Sequence, residues 1–285
     1  MAAAKAMGVD KPDGEVYGDW LFHYARDGEL ARLLALAAAF DPASYARLSA
    51  LGVGPGWRCL DVGAGPGTLA GWLAEEVGEG GQVVAVDRDS GFLTDTGDLR
   101  VTIVEGDVTA AHFDPGRFDL VHARFLLMHL RDRDRVLPRL ASWVRPGGWL
   151  VVSDSADLGT RSSPHESYRR TFTALWQALA ETIGTDINYG RRYPAALAEY
   201  GLTDLGVAVD MPVVAAGTPI SAFWRLTLEQ SRPLVVATGL VDDHAIDQVL
   251  CYLQDPSMWD LSLAMITAWG RSPVPERRNR VSVRP

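Results

Sequence analysis

Residues 60–67, Leu60-Asp61-Val62-Gly63-Ala64-Gly65-Pro66-Gly67, decide the fold. They read as a buried strand that runs into a glycine-rich turn and then into the start of a helix. Each glycine has a backbone task there, because positive φ and close approach to a ligand are cheap only without a Cβ. A turn of this kind at the carboxyl end of a first strand is where nucleotide-type ligands sit in open α/β sheets. The spacing is G-x-G-x-G, and not the G-x-G-x-x-G of dinucleotide-binding turns, which argues against a nicotinamide-dependent dehydrogenase.

Outward from this turn, short apolar runs alternate with helical patterns. The run Gln82 to Asp87 is a second buried strand ending in a carboxylate, 26 residues after Asp61. An acid at the tip of a second strand accepts hydrogen bonds from ribose hydroxyls. Strands are also expected at 57–62, 101–105, 118–122 and 148–153, and helices at 67–77 and 132–143. Alternation of this sort gives a parallel, doubly wound sheet. Ahead of it, Leu30, Leu33, Leu34, Leu36 and Ala37 predict a helix over 29–40. A second helix is expected from Pro42 to Leu51, with Asp41 as its cap and Pro42 at its first position.

Beyond Asp154 the alternation stops. Tyr168, Phe172, Leu175, Trp176 and Leu179 lie on one face of a helix spanning Glu166 to Thr182. A short helix covers Arg192 to Tyr200, and strand-like runs return at Leu205–Val214 and Leu261–Trp269, with helical segments from Ser221 and Asp243 between them.

Four motifs in order over residues 43–155 carry a resemblance to class I S-adenosylmethionine (SAM)-dependent methyltransferases of the small-molecule, bacterial secondary-metabolism type. They are the turn at 60–67, Asp87, the strand Val101 to Glu105 followed by Gly106-Asp107-Val108, and Arg145-Pro146-Gly147-Gly148, which resembles the family's "RPGG" turn. The resemblance implies an α/β, Rossmann-like, doubly wound seven-stranded sheet with N-terminal helices and a helical lid. The chain is then expected to comprise an N-terminal helical segment that is part of the lid (1–40), a SAM-binding core (41–157), a helical lid (158–200), a sheet-completing part with inserted helices (201–270) and a tail (271–285) whose Arg, Pro and Ser content without periodicity predicts disorder.

For the cofactor, SAM, the resemblance points to Gly63, Ala64, Gly65, Gly67, Asp87 and its neighbour Arg88. Asp107 would take the adenine amino group and Val108 would pack on the ring. Backbone around Ala123 and Arg124 would face the methionine part. Asp61 would support the glycine loop or meet the methionine ammonium. Relatives fold an N-terminal aromatic over the cofactor, a part that would fall to Tyr24, which with Tyr17 precedes the first helix. The family usually carries a full helix between its second and third strands, but only the thirteen residues Arg88–Arg100 stand there, interrupted by Gly91 and Gly97. The adenine side is therefore expected to be more open, or closed by another element.

Methyl transfer from a sulfonium is an in-line displacement that needs positioning and, where the nucleophile carries a proton, a base; it needs no metal. His129, just past the fourth strand at the ligand-binding edge, is the leading base candidate. Asp154, at the tip of the fifth strand, is the second. His165 and Trp176 fall in the lid segment, where they would meet substrate. The expected activity is methylation of oxygen, nitrogen or carbon on a small apolar or aromatic metabolite. The alternative keeps bound SAM but catalyses a cyclisation, decarboxylation or rearrangement.

Bulk properties set further limits. The 285 residues suffice for one large domain or a domain with a cap, and 47% hydrophobic with 22% charged residues describes an ordinary globular chain. A net charge of −9 disfavours a nucleic-acid partner, which requires clustered Lys and Arg. No apolar run is long enough to span a bilayer, so no membrane partner is expected. Only two cysteines occur, Cys59 and Cys251, without metal-ligand spacing, which fits a reducing cytoplasm. A monomer and a homodimer are both compatible with the sequence.

Overall fold

The computed structural model describes residues 17–93 and 98–275. Parts of two expected segments, 1–16 of the N-terminal segment and 276–285 of the tail, lie outside the described residues, as does Gly97. The elements in chain order are α1 (Glu29–Ala50), β1 (Arg58–Val62), α2 (Thr68–Val77), β2 (Gln82–Asp87), β3 (Val101–Glu105), β4 (Phe118–Arg124), α3 (Arg133–Ser142) and β5 (Val144–Ala156). They continue with α4 (Glu166–Ile183), α5 (Tyr193–Glu199), β6 (Thr203–Asp210), β7 (Val213–Ala215), α6 (Pro219–Ala237), α7 (Asp243–Tyr252), β8 (Trp259–Leu261) and β9 (Ala264–Arg271).

Seven strands form one sheet in the order β3-β2-β1-β4-β5-β9-β6. The chain leaves β1 toward β2 and β3, then returns to lay β4 on the other side of β1. Leu60 therefore aligns with Val84 on one flank and Val121 on the other. This reversal opens a crevice at the carboxyl ends of β1 and β4, the ligand position of doubly wound sheets. The central strands are buried along nearly their whole length because helices cover both faces. β9 runs antiparallel to both β5 and β6.

The expected single strand at Leu205–Val214 divides into β6 and the short β7, and Leu261–Trp269 divides into the end of β8 and β9. β7 and β8 pair with each other in a separate two-stranded sheet. The break between β6 and β7 falls at Met211-Pro212, where a proline without an N–H cannot continue a strand ladder.

The helix break expected at Asp41 is corrected: α1 is one helix of 22 residues with Pro42 inside it. Proline in a helix interior forfeits a hydrogen bond and ordinarily kinks or ends the helix. Here tertiary partners hold the turn across it. The Asp41 carboxylate, instead of capping, accepts from Arg124 Nη2 at 2.6 Å and from the Tyr45 hydroxyl at 3.0 Å. Arg124 Nη1 also donates to Ser44 Oγ at 2.9 Å. α1 is thus pinned to the end of β4 on both sides of Pro42.

Helices α1, α4, α6 and α7 share a second core above the sheet, built on Phe40, Tyr168, Phe172, Trp224, Leu228 and Ile246. Trp176 and Trp224 meet edge to face with ring centroids 5.5 Å apart. Among the described residues no helix is long and apolar enough to cross a membrane.

Candidate functional site

A cavity of about 330 Å³ runs from the carboxyl edge of β1, β2 and β4 to the underside of the helical roof. At its lower end the turn after β1 adopts left-handed backbone at Gly63, Gly65 and Gly67, with φ of 70°, 53° and 76°. The N–H groups of Gly63 and Ala64 donate to the Val86 carbonyl at 2.8 and 3.1 Å, tying the turn to β2. The Gly65 N–H donates to Asp87 Oδ2 at 2.9 Å, and the Asp89 N–H to Asp87 Oδ1 at 3.2 Å. Burial pushes the Asp87 carboxyl up, against the pull of the backbone N–H groups of Gly65, Asp89 and Arg88. A Cβ built on Gly65 would meet nothing within 4 Å, so the turn keeps open space above itself.

Below the turn, Asp61 Oδ1 lies 2.8 Å from His122 Nδ1, both side chains buried and both residues lining the cavity. Asp107 also lines it, its Oδ1 accepting from the N–H and hydroxyl of Thr109 at 2.8 and 2.7 Å. Val108 is buried beside it, and its carbonyl accepts from Arg139 Nη1 at 2.8 Å. Ala123 is buried within β4 and does not line the cavity, whereas Arg124 does.

Among the described residues between β2 and β3 there is one 3-10 turn, Ser90–Phe92, in place of a full helix, and residues ahead of α1 cover it. Tyr24 packs edge to face on Phe92 with centroids 6.2 Å apart, and a Cβ on Gly91 would lie 2.6 Å from its ring. Arg88 donates to the Tyr17 carbonyl at 2.6 Å and pairs with Asp19 at 2.8 Å. Another element therefore closes this side of the cavity, one of the two outcomes the short connection allows.

At the far end, His129 closes the 3-10 turn Leu127–His129. Its Nδ1 is 2.9 Å from Thr185 Oγ1, and its ring rests on Tyr17 with centroids 4.6 Å apart. Burial, with the nearby Arg32 and Arg133 guanidinium groups, holds the imidazole down to about 3, so it is neutral at any working pH. Trp176 lines the same end and donates its indole N–H to Asp157 at 3.0 Å.

Asp154 does not line the cavity but sits behind its wall. One oxygen accepts from the Met128 N–H at 3.0 Å and from the Tyr193 hydroxyl, while Oδ1 is buried without a partner among the described residues. Burial pushes its carboxyl up to about 7. His165 stands away from the cavity, its ring 4.1 Å from that of Tyr252.

The buried ion pair of Glu29 and Arg32, both lining the cavity, escaped the sequence reading. Glu29 and Arg32 are 1% and 3% exposed, and Arg32 donates to both Glu29 oxygens, at 2.6 and 2.7 Å. The signal was present: Glu29 and Arg32 share the helical stripe of Leu33, Leu36, Ala37 and Phe40, at spacings that turn them all toward the interior. A charge on such a stripe is costly to bury unless it is paired.

A methyltransferase-domain family model matches residues 60–152. The chain is 29% identical to methyltransferase str3 of Strobilurus tenacellus over 177 residues, covering 59% of this chain and 61% of that one. It is 30% identical to methyltransferase GfsG of Streptomyces halstedii over 190 residues, covering 63% and 65%. The chain thus spans about three fifths of the length of these curated relatives. Among solved structures, it resembles the phosphoethanolamine N-methyltransferase 2 of Haemonchus contortus bound to phosphomonomethylethanolamine and S-adenosylhomocysteine. The TM-score is 0.54 at 21% identity, over 86% of this chain and 57% of that one.

Proposed function

We propose, from its likeness to class I SAM-dependent methyltransferases, that the chain is one of them and methylates a small, apolar or aromatic acceptor. One observation carries the reading. The glycine turn, Asp87 and Asp107 open into the same cavity that continues to His129, Trp176 and Trp224. S-Adenosyl-L-methionine is the cofactor, and the lower end fits it: a turn with open space above Gly65, and two strand-end carboxylates facing that space. When bound, it supplies a methyl group on a sulfonium for in-line displacement.

The chain's own residues supply the rest. Asp87 and Asp107 hold the ribose and adenine, and the turn's backbone approaches the methionine part. The segment 158–200, with α6 and the residues before α1, forms a lid that excludes water from the acceptor. With His129 Nδ1–H donated to Thr185, Nε2 keeps its lone pair for the acceptor's proton. Held neutral by its burial, His129 can take that proton as the methyl group is transferred. Asp154 positions this wall through the Met128 N–H.

Asp87→Ala is expected to weaken S-adenosylhomocysteine binding by about 1–3 kcal/mol, the scale of leaving a ligand's hydroxyls unpaired. A calorimetric titration checks this, and unchanged affinity removes Asp87 from the ribose site. His129→Ala is expected to lower kcat about 100-fold, within the range of lost acid–base catalysis, with S-adenosylhomocysteine affinity unchanged. Steady-state kinetics that monitor S-adenosylhomocysteine release test both this and the reaction. Acceptor turnover without that release contradicts methyl transfer.

A further inference from the structure

The upper end of the cavity holds a polar group in an apolar setting. Arg32 Nη2 donates to the Tyr17 phenol oxygen at 2.5 Å, and the same guanidinium grips both oxygens of Glu29. Glu29 cancels the charge of Arg32, so no net positive charge is left to receive an anion. The phenol oxygen is occupied as an acceptor, while the Tyr17 proton has no acceptor among the described residues. Tyr17 is therefore a hydrogen-bond donor, polarised by a cation behind it. Its ring lies on His129 at 4.6 Å and against Phe22 at 5.5 Å. The surrounding wall is apolar, with Phe125, Trp176, Leu179, Phe223 and Trp224.

We propose that the Tyr17 hydroxyl selects the acceptor by donating a hydrogen bond to a neutral oxygen, a hydroxyl or carbonyl, carried on an otherwise apolar ring system. The proposal rests on the methyltransferase reading of the cavity. Three features follow from the geometry. The acceptor carries at least one oxygen, because an oxygen-free ring leaves the polarised proton unpaired in a desolvated pocket. The oxygen is neutral, because Glu29 already satisfies Arg32. It also lies within reach of His129, because the two rings are in contact, so Tyr17 donates and His129 accepts on one wall.

The test measures binding to the full chain loaded with S-adenosylhomocysteine, by equilibrium dialysis against 2-naphthol, naphthalene and 2-naphthoate. The wild type is expected to bind 2-naphthol about tenfold more tightly than either of the others, the value of one well-made hydrogen bond in a dry site. Tyr17→Phe is expected to bind 2-naphthol no better than naphthalene, with S-adenosylhomocysteine affinity unchanged. Glu29→Gln, which frees the charge of Arg32, is expected to gain about tenfold for 2-naphthoate. A 2-naphthol preference that survives in Tyr17→Phe overturns the proposal, as does a wild type that shows no preference or favours 2-naphthoate. Failure of the wild type to bind S-adenosylhomocysteine overturns instead the cofactor reading beneath it.

Discussion

Gly65→Val is expected to reduce S-adenosylhomocysteine affinity at least 100-fold. Two effects combine. Residue 65 has φ of 53°, a left-handed conformation that costs a β-branched side chain about 1–2 kcal/mol. The valine side chain would also enter the open space that the turn maintains above itself, while any backbone adjustment would pull the 65 N–H away from Asp87, now at 2.9 Å. Gly201→Val separates the two contributions. Gly201 has φ of 76° and equally open surroundings, but it lies between α5 and β6, away from the cavity. Both variants are expected to lose similar thermal stability, whereas only Gly65→Val loses the ligand. Calorimetry beside thermal denaturation gives the comparison, and retained affinity in Gly65→Val would remove the turn from the cofactor site.

Asp154→Asn is expected to flatten the dependence of stability on pH. Burial raises the native carboxyl from 3.8 to about 7. Between those values the folded chain keeps a proton that the unfolded chain has released, so the folded state binds more protons and stability falls as pH rises. The contribution of this group is complete below about pH 4 and is lost on the way to pH 7. The slope is about 1.4 kcal/mol per pH unit, for a total of about 4 kcal/mol. Asparagine retains the acceptor for Tyr193 and the Met128 N–H but cannot titrate. Urea denaturation across the acid range between those two values should show wild type converging on or falling below the variant as pH rises. Parallel curves would mean that Asp154 is ionised throughout.

The sheet was legible because its signal is local. Buried parallel strands read as short apolar runs, and Asp87 announces a strand end by its position after one. The full extent of α1 was not legible, because Pro42 is a stop signal in isolation and the contacts that override it come from Arg124, 83 positions away in sequence from Asp41. Residues in the glycine turn carry their signal in their own conformational needs. The far end of the cavity does not work this way. It is assembled from α1, α4, α6 and the turn after β4, and no spacing within one segment encodes that meeting.

Asp154 and Arg32 differ in the same way. Asp154 stands at the tip of a central strand, where a sequence reading looks for chemistry, yet its partners Met128 and Tyr193 hold it behind the wall. Arg32 stands in a leucine- and alanine-rich helix, where a surface charge is the ordinary reading, yet it is 3% exposed and lines the cavity. Burial decides both cases, and burial depends on which helix faces pack together. The closure of the cavity beside the end of β2 depended likewise on the segment before α1, which reaches it through Arg88 and Tyr24.

On the proposed reading, the glycine turn and the two acids Asp87 and Asp107 hold an adenosyl cofactor in the cavity that receives the acceptor. Calorimetric titration of the purified protein with SAM, S-adenosylhomocysteine and NADH, side by side, tests it most directly. The account predicts dissociation constants on the order of micromolar, about −8 kcal/mol, for both adenosyl ligands and no binding of NADH. Binding of NADH, or of neither adenosyl ligand, would contradict it.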